Sequence, residues 1–263
     1  MADPGLLGYA AAAIGVFMTL VWLVSLLLRD ASIVDVFWGL GFIVTGVLSA
    51  WLGAGDAGRS ALLLVLVAMW GLRLAGHIGW RNHGKPEDPR YQNFRANAGR
   101  AFWWRSYFTV FLLQGVVMWV VALPLLAALG EPEPSLATAW DVAAIVLWAI
   151  GFAFEAGGDL QLARFKANPA NRGRVLATGF WGLTRHPNYF GDAVVWWGFG
   201  CLGLAVGAWW TLIGPVVMTV LLARVSGVTL LERSMIETKP GYREYVESTA
   251  AFFPRIPFLG RRG

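Results

Sequence analysis

The nine residues TRHPNYFGD, positions 184–192, place two basic side chains, an asparagine and an aspartate directly before one of the longest apolar runs in the sequence. Polar and ionisable groups are costly at membrane depth and usually mark a function there. Similar apolar runs of roughly 20 residues, the length that crosses the hydrocarbon core of a bilayer, recur along the chain. The stretch therefore predicts a polar site at the mouth of a membrane helix.

The composition agrees with a membrane protein. Of the 263 residues, 57% are hydrophobic and only 14% are charged, whereas about 25% are charged in an ordinary soluble domain. A soluble helical core of this composition would leave most helices apolar on every face with nothing polar to cover them. We therefore expect an all-α, polytopic membrane bundle of about seven transmembrane helices that forms a single domain over residues 1–263.

Lys and Arg residues predict the orientation of this bundle. The expected spans lie near 6–28, 33–52, 60–80, 107–129, 139–158, 189–206 and 209–226. With these spans, 19 of the 21 Lys and Arg residues fall on one side of the membrane, which leaves Arg59 as the basic residue of the opposite side. Basic loops normally remain in the cytoplasm. We expect the N-terminus outside, the C-terminus in the cytoplasm, and a multi-pass protein of the bacterial inner membrane.

Ionisable residues within or at the ends of these spans are candidates for function. They are Asp35, Arg73, His77, Glu155, Asp159 and Asp192. A helix-locking ion pair, such as Asp35 with Arg73, explains any one of them equally well. The pair Glu155 and Asp159 is harder to explain in this way, because like charges on adjacent turns of a helix repel each other.

Basic residues follow these two carboxylates at once, at Arg164, Lys166 and Arg174. Carboxylates can bind the hydroxyl groups of a ribose, and Arg and Lys can bind phosphates. The combination predicts a nucleotide ligand. The sequence contains neither a G-x-G-x-x-G after a strand nor a Walker-type glycine loop, so the expected site differs from Rossmann and P-loop sites.

The segment RNHGKPEDPRYQNFR, positions 81–95, fits the same ligand. We expect Gly84 and Pro86 to end the third span and to leave a loop with exposed backbone amides, which presents Asn82, His83, Lys85, Arg90 and Tyr91. Phosphate binding and the binding of anionic lipid headgroups both remain possible interpretations of this basic loop. The three histidines are scattered and have no cysteine partner, so we expect no metal site.

Four motifs together resemble a known family. They are RNHGKPEDPRY, FEAGGDLQLARFK, GFWGLTRHPNYFGD and ERSMIETKPGYREYVESTAAFFPRIPF, which begin at positions 81, 154, 179 and 232. In these motifs the chain resembles the DUF1295 membrane proteins, which are related to the C-terminal domain of steroid 5-alpha-reductases. The resemblance implies a seven-helix enzyme that binds NADPH at its cytoplasmic end and transfers a hydride to a C=C bond conjugated to a carbonyl.

The resemblance also implies roles for individual residues. Asn82 and Lys85 match a loop that meets the cofactor, Asp159 matches a ribose-binding position, and Asn188 with Asp192 match positions near the nicotinamide. The full set expected to bind NADPH, within segments 81–105, 155–192 and 228–258 and the third span, is Arg73, Asn82, Lys85, Glu155, Asp159, Lys166, Arg174, Arg185, His186, Asn188, Tyr189, Asp192, Glu232 and Tyr242. We expect these stretches, which are far apart in the sequence, to close over one polyphosphate.

The expected catalytic residues are Asp35 and Trp70. Steroid reductases polarise the substrate carbonyl with a Tyr on the third span and a Glu on the second, and Trp70 and Asp35 are the residues found here. An indole can donate a hydrogen bond but cannot deliver a proton as a phenol does. Asp35 is then the expected acid, if its apolar setting keeps it protonated. The expected partners are a lipophilic substrate and membrane lipids, without nucleic acid, and the protein is expected to be a monomer.

Two other functions are compatible with parts of the sequence. The RHP-x-Y element and the segment YREYVESTAAFFPRIP also resemble membrane methyltransferases related to isoprenylcysteine carboxyl methyltransferase. S-adenosylmethionine carries no phosphate, however, and those enzymes typically have two adjacent glutamates where this chain has Glu232 followed by Arg233. A transporter or a non-catalytic lipid-binding protein would explain the polar membrane residues but not the loop motifs.

Overall fold

The computed structural model of the chain describes residues 3–225, residue 235 and residues 239–255. These residues form helices and contain no strand, which confirms the all-α prediction. The α-helices are α1 Pro4–Leu28, α2 Ile33–Leu52, α3 Ala57–Asn82, α4 Pro89–Ala98, α5 Phe102–Ser106, α6 Leu113–Val121, α7 Leu123–Gly130, α8 Ala139–Ala167, α9 Phe180–Leu183, α10 Pro187–Ala205, α11 Ile213–Val220 and α12 Tyr242–Ser248. The 3-10 segments are Gly99–Ala101, Pro169–Asn171 and Trp209–Leu212, and the π-helical segments are Tyr107–Leu112 and Leu221–Val225.

Five helical stretches of the described chain are long and apolar enough to cross a membrane. They are α1, α2, α3, the run Pro89–Val121 and α8. A shorter apolar helix covers Trp209–Arg224. The protein is therefore a multi-pass helical membrane protein by the length and composition of its helices, while the count of seven spans, the orientation and the bacterial inner membrane stay predictions.

The segment 81–105 differs from the expected loop. The helical run of the fourth span begins at Pro89 rather than near residue 107. Asp88 caps it, because its Oδ1 accepts a hydrogen bond from the backbone N of Arg90 at 2.9 Å. Proline suits the first turn of a helix, where its missing N–H is not needed. Arg90 and Tyr91 consequently lie on a helix, and the prediction that they belong to an exposed loop was wrong.

The described residues fall into two compact units. Unit 1 contains the residues up to Asp141 together with Gly200–Gly214, and unit 2 contains Val142–Phe199 and the described residues from Pro215 onward. The prediction of a single domain stays a prediction.

Glycines set the closest helix packing in unit 1. A Cβ added to Gly39 of α2 would lie 2.6 Å from the carbonyl oxygen of Gly71 of α3, and the reverse substitution meets the same distance. Small residues permit such a close approach of two membrane helices. Beside this crossing, Phe42 and Trp70 are fully buried and pack edge to face with ring centroids 5.6 Å apart.

A buried ion pair joins the start of α3 to the start of α8. The side chain of Arg59 is fully buried, its Nε lies 2.9 Å from Asp141 Oδ1, and its Nη2 lies 3.1 Å from Asp141 Oδ2. Arg59 Nη2 also donates to the carbonyl oxygen of Ser135 at 3.2 Å. Removing one partner of such a pair leaves an uncompensated buried charge, which typically costs about 3–5 kcal/mol. The basic residue of the predicted outer side therefore has a structural role.

Glycines also set the packing of α8 against α10 in unit 2. A Cβ added to Gly191 would lie 2.4 Å from the backbone N of Glu155 and 2.5 Å from the carbonyl oxygen of Gly151. A Cβ added to Gly151 would lie 2.5 Å from the backbone N of Val195. Because these neighbours are backbone atoms, no side chain can turn aside to make room, and a larger residue must push the helices apart.

We therefore expect Gly191→Ala to destabilise the protein. Overpacking of this kind typically costs about 1–3 kcal/mol, and a thermal unfolding experiment on the detergent-purified protein measures it as a lower Tm. Gly76→Ala in α3 is the matched control, because nothing lies within 4 Å of the added Cβ and alanine favours the helix. Equal Tm values for the two variants would contradict the assigned helix contact.

Candidate functional site

The motifs GGD of α8 and HPN of α10 meet within unit 2. Asn188 Nδ2 donates a hydrogen bond to Asp159 Oδ1 at 3.1 Å, across 29 residues of sequence. Gly158 permits this approach, because a Cβ there would lie 3.1 Å from Pro187 Cγ and 3.4 Å from the backbone N of Asn188. The structure thus brings two of the residues expected to bind NADPH, Asp159 and Asn188, into direct contact.

Buried ionisable residues surround this contact in unit 2. Glu155 is 2% exposed. Four other residues expected to bind NADPH are at most 8% exposed, namely Asp159, Arg185, His186 and Asp192. Each of these residues makes polar or ring contacts within the protein. Charged side chains are rarely buried to this degree unless they are paired or functional. The ends of α8 and α10 that face each other therefore form a polar region within an otherwise apolar bundle.

The short helix α9 packs on α8 beside Asp159. Trp181 Nε1 donates to the carbonyl oxygen of Gly158 at 2.9 Å, and the backbone N of Phe180 donates to Gln161 Oε1 at 3.1 Å. Gly179 precedes this helix with a φ of 63°, in the left-handed region that favours glycine. The sequence TGFWG therefore folds over GGDLQ and fixes the wall of the polar region.

Arg185 anchors the C-terminal segment to this region. Its backbone N donates to the carbonyl oxygen of Ala250 at 2.8 Å, and its Nη1 donates to the carbonyl oxygens of Val246, at 2.8 Å, and of Thr249. Thr184 continues the contact by donating its hydroxyl to the carbonyl oxygen of Phe252 at 2.9 Å. These contacts give Arg185 a structural role, and its expected role toward NADPH stays a prediction.

Aromatic rings line the same part of unit 2. The rings of His186 and Tyr189 stack with centroids 5.6 Å apart and an interplanar angle of 2°. Tyr242 is 3% exposed, and its ring centroid lies 5.8 Å from that of Tyr245. The hydroxyl of Tyr245 donates to the carbonyl oxygen of Trp181. Tyr242 is therefore placed in the packing between α12 and its neighbours.

Two exposed cations, Lys166 and Arg174, follow the polar region along the chain. Lys166 lies near the end of α8, two helical turns after Asp159, which corresponds to about 10 Å along the helix axis. Arg174 lies in the stretch after the 3-10 segment. A cation at the end of a helix is also stabilised by the helix dipole, so this position is favourable with or without a ligand.

A second polar cluster lies in unit 1 and joins α2 to α4. The hydroxyl of Tyr91 donates to Asp35 Oδ1 at 2.7 Å, and Arg90 Nη2 donates to Asp35 Oδ2 at 2.7 Å. Gln114 Nε2 donates to the hydroxyl of Tyr91 at 3.3 Å, and Tyr91 is 4% exposed. Asp35 thus accepts hydrogen bonds in this geometry, and Tyr91 holds the proton that an acid would need.

Sequence reasoning missed Tyr91 because it placed the residue on a loop. The signal that could have found it is the pair Asp88 and Pro89, a capping residue followed by a residue suited to the first helical turn. Trp70, the expected partner of Asp35 in catalysis, is instead fully buried against Phe42. Its catalytic role stays a prediction.

The two carboxylates before α4, Glu87 and Asp88, have structural roles, and Asp88 is the cap of α4. Glu87 accepts hydrogen bonds from the backbone N of Ala31 at 2.7 Å and from Arg95 Nη2 at 2.8 Å. Burial acts to raise the pKa of Glu87, but these hydrogen bonds outweigh it and hold the pKa below its usual range. Glu87 therefore ties α4 to the residues just before α2.

The remaining expected residues are placed as follows. Asn82 ends α3 and accepts a hydrogen bond from Arg81 Nε at 3.2 Å. Lys85 is exposed, and its Nζ donates to the carbonyl oxygen of Arg81. Arg73 lies half-buried in α3, and Glu232 lies outside the described residues. Since Asn82 and Lys85 belong to unit 1 and Asp159 to unit 2, their convergence over one polyphosphate stays a prediction.

The sequence is similar to known proteins, among them one uncharacterized protein and two sterol reductases. An uncharacterized protein of Schizosaccharomyces pombe, C594.04c, is 26% identical over 89% of this chain and 76% of its own length. The Delta(14)-sterol reductase LBR of Gallus gallus is 32% identical over 34% of this chain and 16% of its own length. The Delta(14)-sterol reductase erg24 of Schizosaccharomyces pombe is 31% identical over 38% of this chain and 27% of its own length.

No solved structure is significantly similar to the chain. The family model described as "Protein of unknown function (DUF1295)" matches residues 21–249, which is most of the sequence. The two sterol reductases are consistent with the resemblance to steroid reductases that the four motifs indicate. The chain therefore belongs to the DUF1295 family.

Proposed function

We propose that the protein is a membrane-embedded reductase that uses NADPH to reduce a C=C bond conjugated to a carbonyl in a lipophilic, steroid-like or isoprenoid-like substrate. The similarity to two sterol reductases suggests a membrane reductase of that kind. The observation that carries the finer proposal is the contact between Asp159 and Asn188, where two motifs 29 residues apart join at the polar region of unit 2.

The chemistry of this region suits a dinucleotide. A carboxylate and a side-chain amide together offer acceptors and donors for ribose hydroxyls. Lys166 and Arg174 are exposed cations on the same stretch of chain, and they would bind phosphates. Asp159 and Asn188 would hold the ribose, and bound NADPH would supply the hydride. S-adenosylmethionine has no phosphate, so the methyltransferase alternative gives Lys166 and Arg174 no part in ligand binding.

The reaction also needs a group that donates a proton. Addition of a hydride to a conjugated C=C bond places negative charge on the carbonyl oxygen, and a hydrogen-bond donor stabilises that charge. In unit 1 the phenol of Tyr91, oriented by Asp35 and Gln114, is the donor of suitable chemistry. Its single O–H, which donates to Asp35 in this structure, would turn to the substrate carbonyl oxygen and give up its proton there, so that Tyr91 would take the role first expected of Asp35.

Nucleotide titration of the detergent-purified protein tests whether NADPH is the cofactor and whether it binds at the proposed residues. We expect NADPH to bind, and we expect Asp159→Asn and Asn188→Ala each to weaken binding about 10- to 100-fold, the effect of losing a hydrogen bond to a charged or closely held group. Lys166→Ala should weaken it about tenfold, since it removes a phosphate contact. Isothermal titration calorimetry measures the three Kd values.

Arg243→Ala is the matched control, because Arg243 is an exposed cation of unit 2 and is not assigned to the site. Its Kd should remain within about twofold of the unmodified protein. The proposal fails if S-adenosylmethionine binds tightly and NADPH does not. The placement of the site fails if folded Asp159→Ala with Lys166→Ala binds NADPH as well as the unmodified protein.

Tyr91→Phe tests the proton donor. With a 3-oxo-4-ene steroid as the assay substrate, we expect the variant to lower kcat about 100-fold, in the range that general acid catalysis contributes, and to leave the Kd for NADPH unchanged. Tyr107→Phe is the control, because the Tyr107 hydroxyl contacts Thr19 at 3.2 Å and not Asp35. A Tyr91→Phe enzyme with full activity would show that another group donates the proton.

A further inference from the structure

A cavity of about 310 Å³ lies in unit 1, and its lining does not include Asp35, Trp70 or Tyr91. It is lined by Phe94, Asn97, Ala98, Phe102, Arg105 and Thr109. Gly99, which has a φ of 54°, ends α4 in the middle of this stretch. The lining residues precede and follow this break, so the cavity is a notch between α4 and the helices that continue the same run.

The notch lies where the polar and apolar parts of this run meet. The run Pro89–Val121 has 33 residues, which corresponds to about 50 Å of helix, and the hydrocarbon core is only about 30 Å thick. Three of its four charged residues, Arg90, Arg95 and Arg100, precede Phe102. Trp103 and Trp104 are 60% and 44% exposed, and exposed tryptophans are typical of the level of lipid headgroups. The notch therefore lies at headgroup level.

Arg105 and Asn97 bring hydrogen-bond donors to the notch. Arg105 is exposed, and no carboxylate among the residues that the structure describes lies within ion-pair distance of its guanidinium. The guanidinium lies 5.5 Å from the ring centroid of Trp104, which leaves its edges open to hydrogen bonds. Asn97 adds an exposed amide. A planar guanidinium binds a phosphate through two parallel hydrogen bonds.

The other residues that line the notch include aromatic rings, which can contact the apolar part of a lipid. Phe102, which lines the notch, is buried, and Phe94, which also lines it, is 49% exposed; Phe108, the neighbour in sequence of the lining residue Thr109, is 54% exposed. A volume of 310 Å³ corresponds to about ten water molecules at about 30 Å³ each. That space accommodates a phosphodiester headgroup, while acyl chains would remain in the bilayer along the exposed aromatic rings.

We propose that this notch is a binding site for the phosphate of an anionic phospholipid, held by Arg105 and Asn97 and seated on Phe102. The site does not depend on the proposed reductase activity. Arg95 does not take part, because its guanidinium is bound to Glu87 and lies over the ring of Phe102 at 4.2 Å.

Native mass spectrometry of the full-length protein in detergent tests the proposal with dioleoyl phosphatidylglycerol and dioleoyl phosphatidylcholine as probes. We expect phosphatidylglycerol to remain bound at lower concentrations than phosphatidylcholine. Arg105→Ala should weaken phosphatidylglycerol binding at least tenfold. Ala98→Phe, which fills the notch but keeps every charge, should weaken it to a similar degree, and a Tm measurement verifies that both variants are folded.

Arg100→Ala is the matched control, because Arg100 is an exposed cation nearby that does not line the notch. A general surface attraction changes affinity about fivefold per cation, so Arg100→Ala should lose no more than that. Equal losses in Arg100→Ala and Arg105→Ala would overturn the site. Inorganic phosphate that displaces phosphatidylglycerol at millimolar concentration would show that the notch binds free phosphate and would overturn the lipid assignment, as would unchanged binding in Ala98→Phe.

Discussion

The close contact of α8 with α10 is the constraint on which the candidate cofactor site depends. Gly151 and Gly191 bring the two backbones so near that neither position has room for a Cβ. Gly158, two turns along α8, then lies against Pro187, and this places Asp159 within hydrogen-bond distance of Asn188. Three small residues thus determine that a carboxylate and an amide from separate motifs act as one polar group. Without that approach, the hydrogen bond between the two motifs would be lost.

In unit 1, too, helix packing brings polar side chains from separate segments into contact. Asp35 would be costly alone in a membrane helix, but Tyr91 and Arg90 reach it from α4 and satisfy both carboxylate oxygens. This satisfaction is possible because helix formation starts at Pro89 and turns the side chains of the first helical turn toward α2. The hydroxyl of Tyr91 therefore both stabilises Asp35 by a hydrogen bond and is the candidate proton donor.

Much of the fold follows from the sequence, because apolar runs of about 20 residues have few alternatives to a membrane helix. The roles of single polar residues are harder to predict from the sequence. Arg59 pairs with Asp141 across 82 residues, and Arg185 binds carbonyl oxygens of the C-terminal segment more than 60 residues later. Such contacts depend on tertiary structure that no local pattern contains. Asp159 and Asn188 could be identified because Asp159 lies one turn after the like-charged Glu155, Asn188 directly precedes a long apolar run, and both match the motifs of a known family.

A cryo-EM map of the protein with NADPH bound in lipid nanodiscs would locate the cofactor directly. We expect density for the ribose within hydrogen-bond distance of Asp159 and Asn188, and phosphate density beside Lys166. A nucleotide bound away from both Asp159 and Asn188 would contradict the proposed site.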